Sequence, residues 1–133
     1  MPRVAQLYFK TAFVFLVIGI LMGLQMSISG NHNVIGAHAH ANLLGWVTSA
    51  LFGGYFALNP AKAGTRLALT QYGIYTGGVV LMTPALYFML LGNPALEPLV
   101  AAGSLIAFAG VLLFGVIVFS RAESRALAGA AAE

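Results

Sequence analysis

Residues Leu99 to Ser120 read LVAAGSLIAFAGVLLFGVIVFS, a stretch with no charged side chain. Crossing the hydrocarbon core of a bilayer as an α-helix takes about 20 mostly apolar residues, each adding about 1.5 Å of rise. Three further stretches meet the same condition: about Leu7 to Ile28, about Gly36 to Leu58 and about Leu67 to Leu91. The breaks between them are chemically sensible. Ser29-Gly30-Asn31-His32-Asn33 is polar and turn-forming, Asn59-Pro60-Ala61-Lys62-Ala63-Gly64 combines proline, glycine and a charge, and Gly92-Asn93-Pro94 is followed by Glu97-Pro98.

Composition points the same way. Of the 133 residues 60% are hydrophobic and 7% are charged, against about 25% charged in a soluble domain. So few charges cannot give a globule a surface compatible with water. The expected fold is an all-α membrane protein, a single four-transmembrane-helix bundle over residues 1–133. The absence of cysteine excludes disulfides, thiolate metal sites and thiol nucleophiles.

Basic residues set the expected orientation. Arg3 and Lys10 precede or open the first span, Lys62 and Arg66 lie between the second and third, and Arg121 and Arg125 follow the fourth. The other two loops have no Lys or Arg. The positive-inside rule then makes both termini and the middle loop cytoplasmic, in what reads as a bacterial cytoplasmic (inner) membrane. The net charge of +3 is a topology signal here and not a nucleic-acid patch. The positive start, apolar run and Ser27-Ile28-Ser29 ending of the first span also fit a cleavable signal peptide, although the run is long for one.

Helices in lipid associate where small residues let backbones approach. Gly19 with Gly23, and Gly73 with Gly77, are pairs four apart, and Gly45, Ser49 and Gly53 repeat at four on the second span. Each set reads as bundle packing, or beside the second span as room for a flat cofactor. Pro84 falls inside the third span and should kink it, with Thr83 expected to satisfy part of the freed backbone.

Chemistry concentrates in His38-Ala39-His40-Ala41-Asn42-Leu43-Leu44-Gly45-Trp46, with His32 just upstream; the chain has no other histidine. Ionisable residues at membrane depth are costly and usually functional. If both are helical, His38 and His40 stand about 200° apart and cannot share an ion. If the second helix begins only near Ala41, both can approach one metal, with His32. Neutral imidazole ligates both metals and haem iron. Met22 and Met26, one turn apart, and Met89 are candidate soft ligands. Gln25, Asn42 and Gln71 need partners, and any of them could orient a histidine. The bland alternative is that the histidines cap the helix.

His40-Ala41-Asn42, opening a helix that continues to Gly53-Gly54-Tyr55, resembles the second helix of haem–copper oxidase subunit I, most closely in C-type oxidases and bacterial nitric oxide reductases. The longer string His38 to Val47, with Leu96-Glu97-Pro98-Leu99 and the chain length, is similar to small stand-alone four-helix proteins described as oxidase subunit I-like. The resemblance implies that His40 ligates haem b near the outer face. It leaves the second ligand open among His38, His32, Met26, the His40 of a two-fold partner, or a diatomic gas. The later helices carrying the copper and high-spin haem ligands are absent, so independent oxygen reduction is not expected. Where such small proteins carry histidines on the third span, this chain has Gln71 and Tyr75. The resemblance thus implies electron transfer or gas binding beside a respiratory-chain membrane protein, while small size and the small-residue stripes point to a homo-oligomer. Two other readings are a copper or zinc site on His32, His38 and His40, and a cofactor-free assembly partner. Glu97, Glu123 and Glu133 are the only carboxylates, and none neighbours the histidines in sequence.

Overall fold

The computed structural model describes residues 1–121. Arg125, Glu123 and Glu133 lie outside the described residues. Within them every regular element is helical, with no strand. Helix α1 covers Arg3–Ser29. The second long helix is continuous in space over Ile35–Leu58 but changes its winding twice. It starts as α2 (Ile35–His40), passes through a π-helical segment (Ala41–Thr48), and finishes as α3 (Ser49–Leu58). A short turn, α4 (Pro60–Ala63), leads to α5 (Arg66–Leu90). A 3₁₀ turn (Pro94–Leu96) leads to α6 (Glu97–Phe119). Four of these runs are long and apolar enough to cross a membrane.

The boundaries have local causes. α1 starts at Arg3, earlier than the apolar run, because a helix need not stop where hydrocarbon does and long basic side chains can reach back to polar surroundings. It stops at Gly30, whose left-handed φ of 70° lets its N–H return to the Met26 carbonyl at 3.0 Å. The Thr65 hydroxyl caps α5 by accepting from the Ala68 N–H at 3.2 Å. Lys62 donates to the Val118 carbonyl at 2.8 Å and to the Tyr55 hydroxyl at 3.0 Å, tying the middle loop to the last turn of α6.

Packing proceeds through two antiparallel pairs. In the first, the second span lies along α1: Gly53 faces Tyr8, Gly45 faces Phe15, Gly19 faces Asn42 and Gly23 faces His38. The space that Gly45 and Gly53 open is filled by aromatic side chains of α1, which leaves no slot for a flat cofactor there. In the second pair, α5 and α6 meet at backbone distance. A Cβ on Gly110 would come within 2.6 Å of the Tyr75 Cα, and one on Gly103 within 2.7 Å of the Met82 nitrogen. Gly78 packs as closely on Ala107. The expected pair Gly73 and Gly77 takes no part, since neither has a heavy atom within 4 Å of where its Cβ would be.

The two pairs join through an aromatic and polar core toward the Lys62 end. Phe52 stacks on Phe114 with ring centres 3.9 Å apart, and Tyr8 meets Phe52 and Tyr72 edge-on. Fully buried Tyr8 donates to Gln71 Oε1 at 2.7 Å, and Gln71 Nε2 donates to the Gly110 carbonyl at 3.1 Å. Tyr75 donates to the Leu44 carbonyl at 2.8 Å. One chain of hydrogen bonds thus links α1, α5 and α6, while another pins α5 to the π segment.

Candidate functional site

The helix begins at Ile35, so both histidines are helical. The extended His38–His40 arrangement, which would have allowed one ion to bridge them, is therefore not formed. His38 turns toward α1, where its ring lies over Gly23 and its Nδ1 stands 2.9 Å from the Gly19 carbonyl. His40 leaves the other side of the helix and is exposed, with Nδ1 2.7 Å from the Gly36 carbonyl. His32 is exposed in the loop, 3.3 Å from the Gly30 carbonyl. Among the described residues no three His, Cys, Asp or Glu side chains group around a point where a metal ion could sit.

Proton positions follow from these partners. A carbonyl oxygen only accepts, so in His38 and His40 the proton sits on Nδ1 and the lone pair on Nε2. Asn42 Nδ2 also lies 3.3 Å from His38 Nδ1, but both would then be donors. The shorter bond decides, and Asn42 Nδ2 donates instead to the His38 carbonyl at 2.8 Å. Asn42 thus holds the His38 backbone and not its ring, which the Gly19 carbonyl fixes. Gln71 serves the core, and Gln25 accepts from the Tyr87 hydroxyl at 2.9 Å. A backbone carbonyl on Nδ1 is the arrangement that aims Nε2 at a metal in ligating histidines.

The π segment follows directly on His40. It widens the helix by one residue per turn, and side chains lean back on its carbonyls: Thr48 donates to Leu43 at 2.7 Å and Ser49 to Leu44 at 3.3 Å. Irregular winding of this kind is frequent at functional sites. Nothing in the residue types announced it, because hydroxyls that bond to their own helix do so in ordinary α-turns as well.

The remaining candidates are scattered. Met26 is 5% exposed in the last turn of α1, away from the outward-facing His40. Met22 lines a cavity of about 510 Å³ between α1 and α5. Gln71 and Tyr75 are completely buried and already bonded to protein groups.

Between α1 and the second span a porphyrin does not fit, because their glycine faces are occupied by Phe15, Tyr8, Asn42 and His38. Outside it, His40 offers one nitrogen lone pair above exposed Leu43, Val47 and Leu51, which follow at intervals of three and four. That surface fits a single axial bond to a group lying against the outside of the second span. No family model, no curated protein and no solved structure matches the chain.

Proposed function

We propose that the chain is a haem b-binding integral membrane protein that resembles a fragment of haem–copper oxidase subunit I. It holds its haem on the outside of the bundle through His40. The observation that carries this reading is the exposed imidazole whose Nδ1 is fixed on the Gly36 carbonyl, leaving Nε2 directed away from its own fold. Gly36 sets the tautomer, and Leu43, Val47 and Leu51 supply the apolar surface. A haem bound there supplies one-electron transfer or a place for a diatomic gas.

His38 and Met26 are turned or buried elsewhere, so a second ligand would come from the exposed His40 of a second copy, for electron transfer, or that position would stay open to a diatomic gas. The first arrangement makes the protein a homo-oligomer with haem at the contact, with a respiratory-chain membrane protein as the redox neighbour. The positive-inside rule sets His40 at the outer face of a bacterial cytoplasmic membrane, with both termini inside.

Protein purified in detergent from haem-replete cells should show a Soret band and a reduced α-band. His40→Ala should abolish them and His38→Ala should retain them. Haem kept in His40→Ala overturns the assignment of His40 as its ligand, and a colourless wild-type protein overturns the haem reading and leaves a cofactor-free bundle that binds another membrane protein.

A further inference from the structure

The seam between α1 and α5 is open. Its cavity of about 510 Å³ is lined by Phe15, Ile18, Gln25, Thr83, Pro84 and Tyr87 among others. A second cavity of about 260 Å³ shares Val14, Phe15 and Val80 with it and extends the seam toward Lys10 and Thr76.

Four features make this more than a packing gap. Thr83 is only 2% exposed, and its hydroxyl has no hydrogen-bond partner. A helical threonine ordinarily returns its proton to a carbonyl one turn back, yet this one does not, contrary to the expectation that it would serve the proline. Pro84 has no N–H, so the Val80 carbonyl loses its usual donor four residues on. The Thr76 hydroxyl, on the lower cavity, is likewise unpartnered. At the other end of the upper cavity Gln25 accepts from Tyr87 through Oε1, which leaves its Nε2 protons for a further acceptor.

The geometry points to a binding site for an uncharged lipid whose head carries carbonyl oxygens. One oxygen accepts from the Thr83 hydroxyl and another from Gln25, while the tail runs down the seam past Val14 and Val80. Tyr87, which holds the Gln25 side chain, is four residues or about 6 Å of rise from Thr83, so both donors belong to the same end of the seam. Depth argues against a phospholipid. Thr83 is seven residues, or about 10 Å, inside the end of α5 at Leu90. A phospholipid ester reaching it would draw a phosphate into hydrocarbon, which an ionised group resists strongly. A quinone ring or a diacylglycerol carries no such charge. The site is separate from His40 and does not depend on haem.

The test uses full-length protein in detergent, with decyl-benzoquinone, dioctanoylglycerol and dioctanoyl-phosphatidylglycerol as probes. Binding is read by equilibrium dialysis and by the shift in melting temperature. Thr83→Val keeps the shape and removes the hydroxyl, and Val80→Trp fills the seam from its exposed side. The quinone or the diacylglycerol should bind, and whichever does names the source. Affinity should fall about tenfold in Thr83→Val and be lost in Val80→Trp, with the melting temperature of the unliganded Thr83→Val protein unchanged or higher. Equal binding of the phosphatidylglycerol, affinity unchanged in Thr83→Val, or no binding of either neutral probe to the wild type overturns the proposal.

Discussion

Replacing Gln71 by leucine should cost about 2 kcal/mol, and half of that should vanish when Tyr8 is phenylalanine. Gln71 makes two bonds across helices, accepting from Tyr8 at 2.7 Å and donating to Gly110 at 3.1 Å. Interhelical hydrogen bonds in a bilayer protein contribute about 0.6 kcal/mol on average and about 1.7 at most. The Gly110 carbonyl keeps its own helical donor, so its share is near the average. The Tyr8 hydroxyl is left with no acceptor in a completely buried position, which costs about 1–3 kcal/mol. Tyr8→Phe preserves the edge contacts with Phe52 and Tyr72 and orphans only the Gln71 oxygen, for about 1 kcal/mol.

The double variant removes both ends of the bond and leaves neither group bare on that axis. Its cost should stay near about 2 kcal/mol, giving a coupling of about 1 kcal/mol between the two sites. The single tryptophan, Trp46, reports unfolding by fluorescence as the dodecyl sulfate fraction of mixed micelles is raised, and far-UV circular dichroism reports the helices. Costs that add within about 0.3 kcal/mol, the usual result for independent sites, would show that the Tyr8–Gln71 bond does not hold α1 to α5.

Two contrasts follow from the same packing. His38→Ala should destabilise the haem-free protein by about 1 kcal/mol, since it removes a bond to α1, while His40→Ala should change unfolding by less than about 0.5 kcal/mol, as exposed substitutions do; the same micelle titration reads both. Gly110→Ala should cost about 1–3 kcal/mol, because its Cβ meets the Tyr75 backbone and not a movable side-chain end, whereas Gly77→Ala, in open space, should stay within about 0.5 kcal/mol of wild type in thermal unfolding.

The four long apolar helices were readable because fitness to cross a membrane is a demand on every residue of a long run, and Leu99 to Ser120 meets it without exception. The face of the second span was readable too: Gly45, Ser49 and Gly53 all lie buried or pressed against α1. The choice among glycine pairs was not. Gly73 and Gly77 have the familiar spacing of four and face nothing, whereas the contact that brings two backbones together uses Gly103, Ala107 and Gly110 against Met82, Gly78 and Tyr75. Spacings of four and three alternate there, the repeat of antiparallel helices crossing at a shallow left-handed angle. Which of several glycine faces finds a neighbour depends on helices far away in sequence. The directions of His38 and His40 were fixed by a helix start that the apolar pattern left ambiguous, since Gly36, Ala37 and Ala39 fit a loop or a helix equally well.

The distribution of satisfied and unsatisfied polar groups separates stability from function in this bundle. Toward the Lys62 end Tyr8, Gln71, Tyr75 and Ser49 all lie in the interior, and every one is bonded. Water does not reach completely buried groups to repair an omission, so that completeness is what a structural core requires. Among the described residues the two buried side-chain atoms without partners are the Thr76 and Thr83 hydroxyls. Both line cavities on the same seam, and Pro84 deletes a helical bond at the same place. Random packing faults would be scattered over four helix contacts. Three deficits on one seam, each costing about 1–3 kcal/mol if left bare, fit a surface that an incoming molecule completes. That seam belongs to α1 and α5, whereas His40 stands on the outside of the second span, so a second copy docking on the histidine face need not cover the seam.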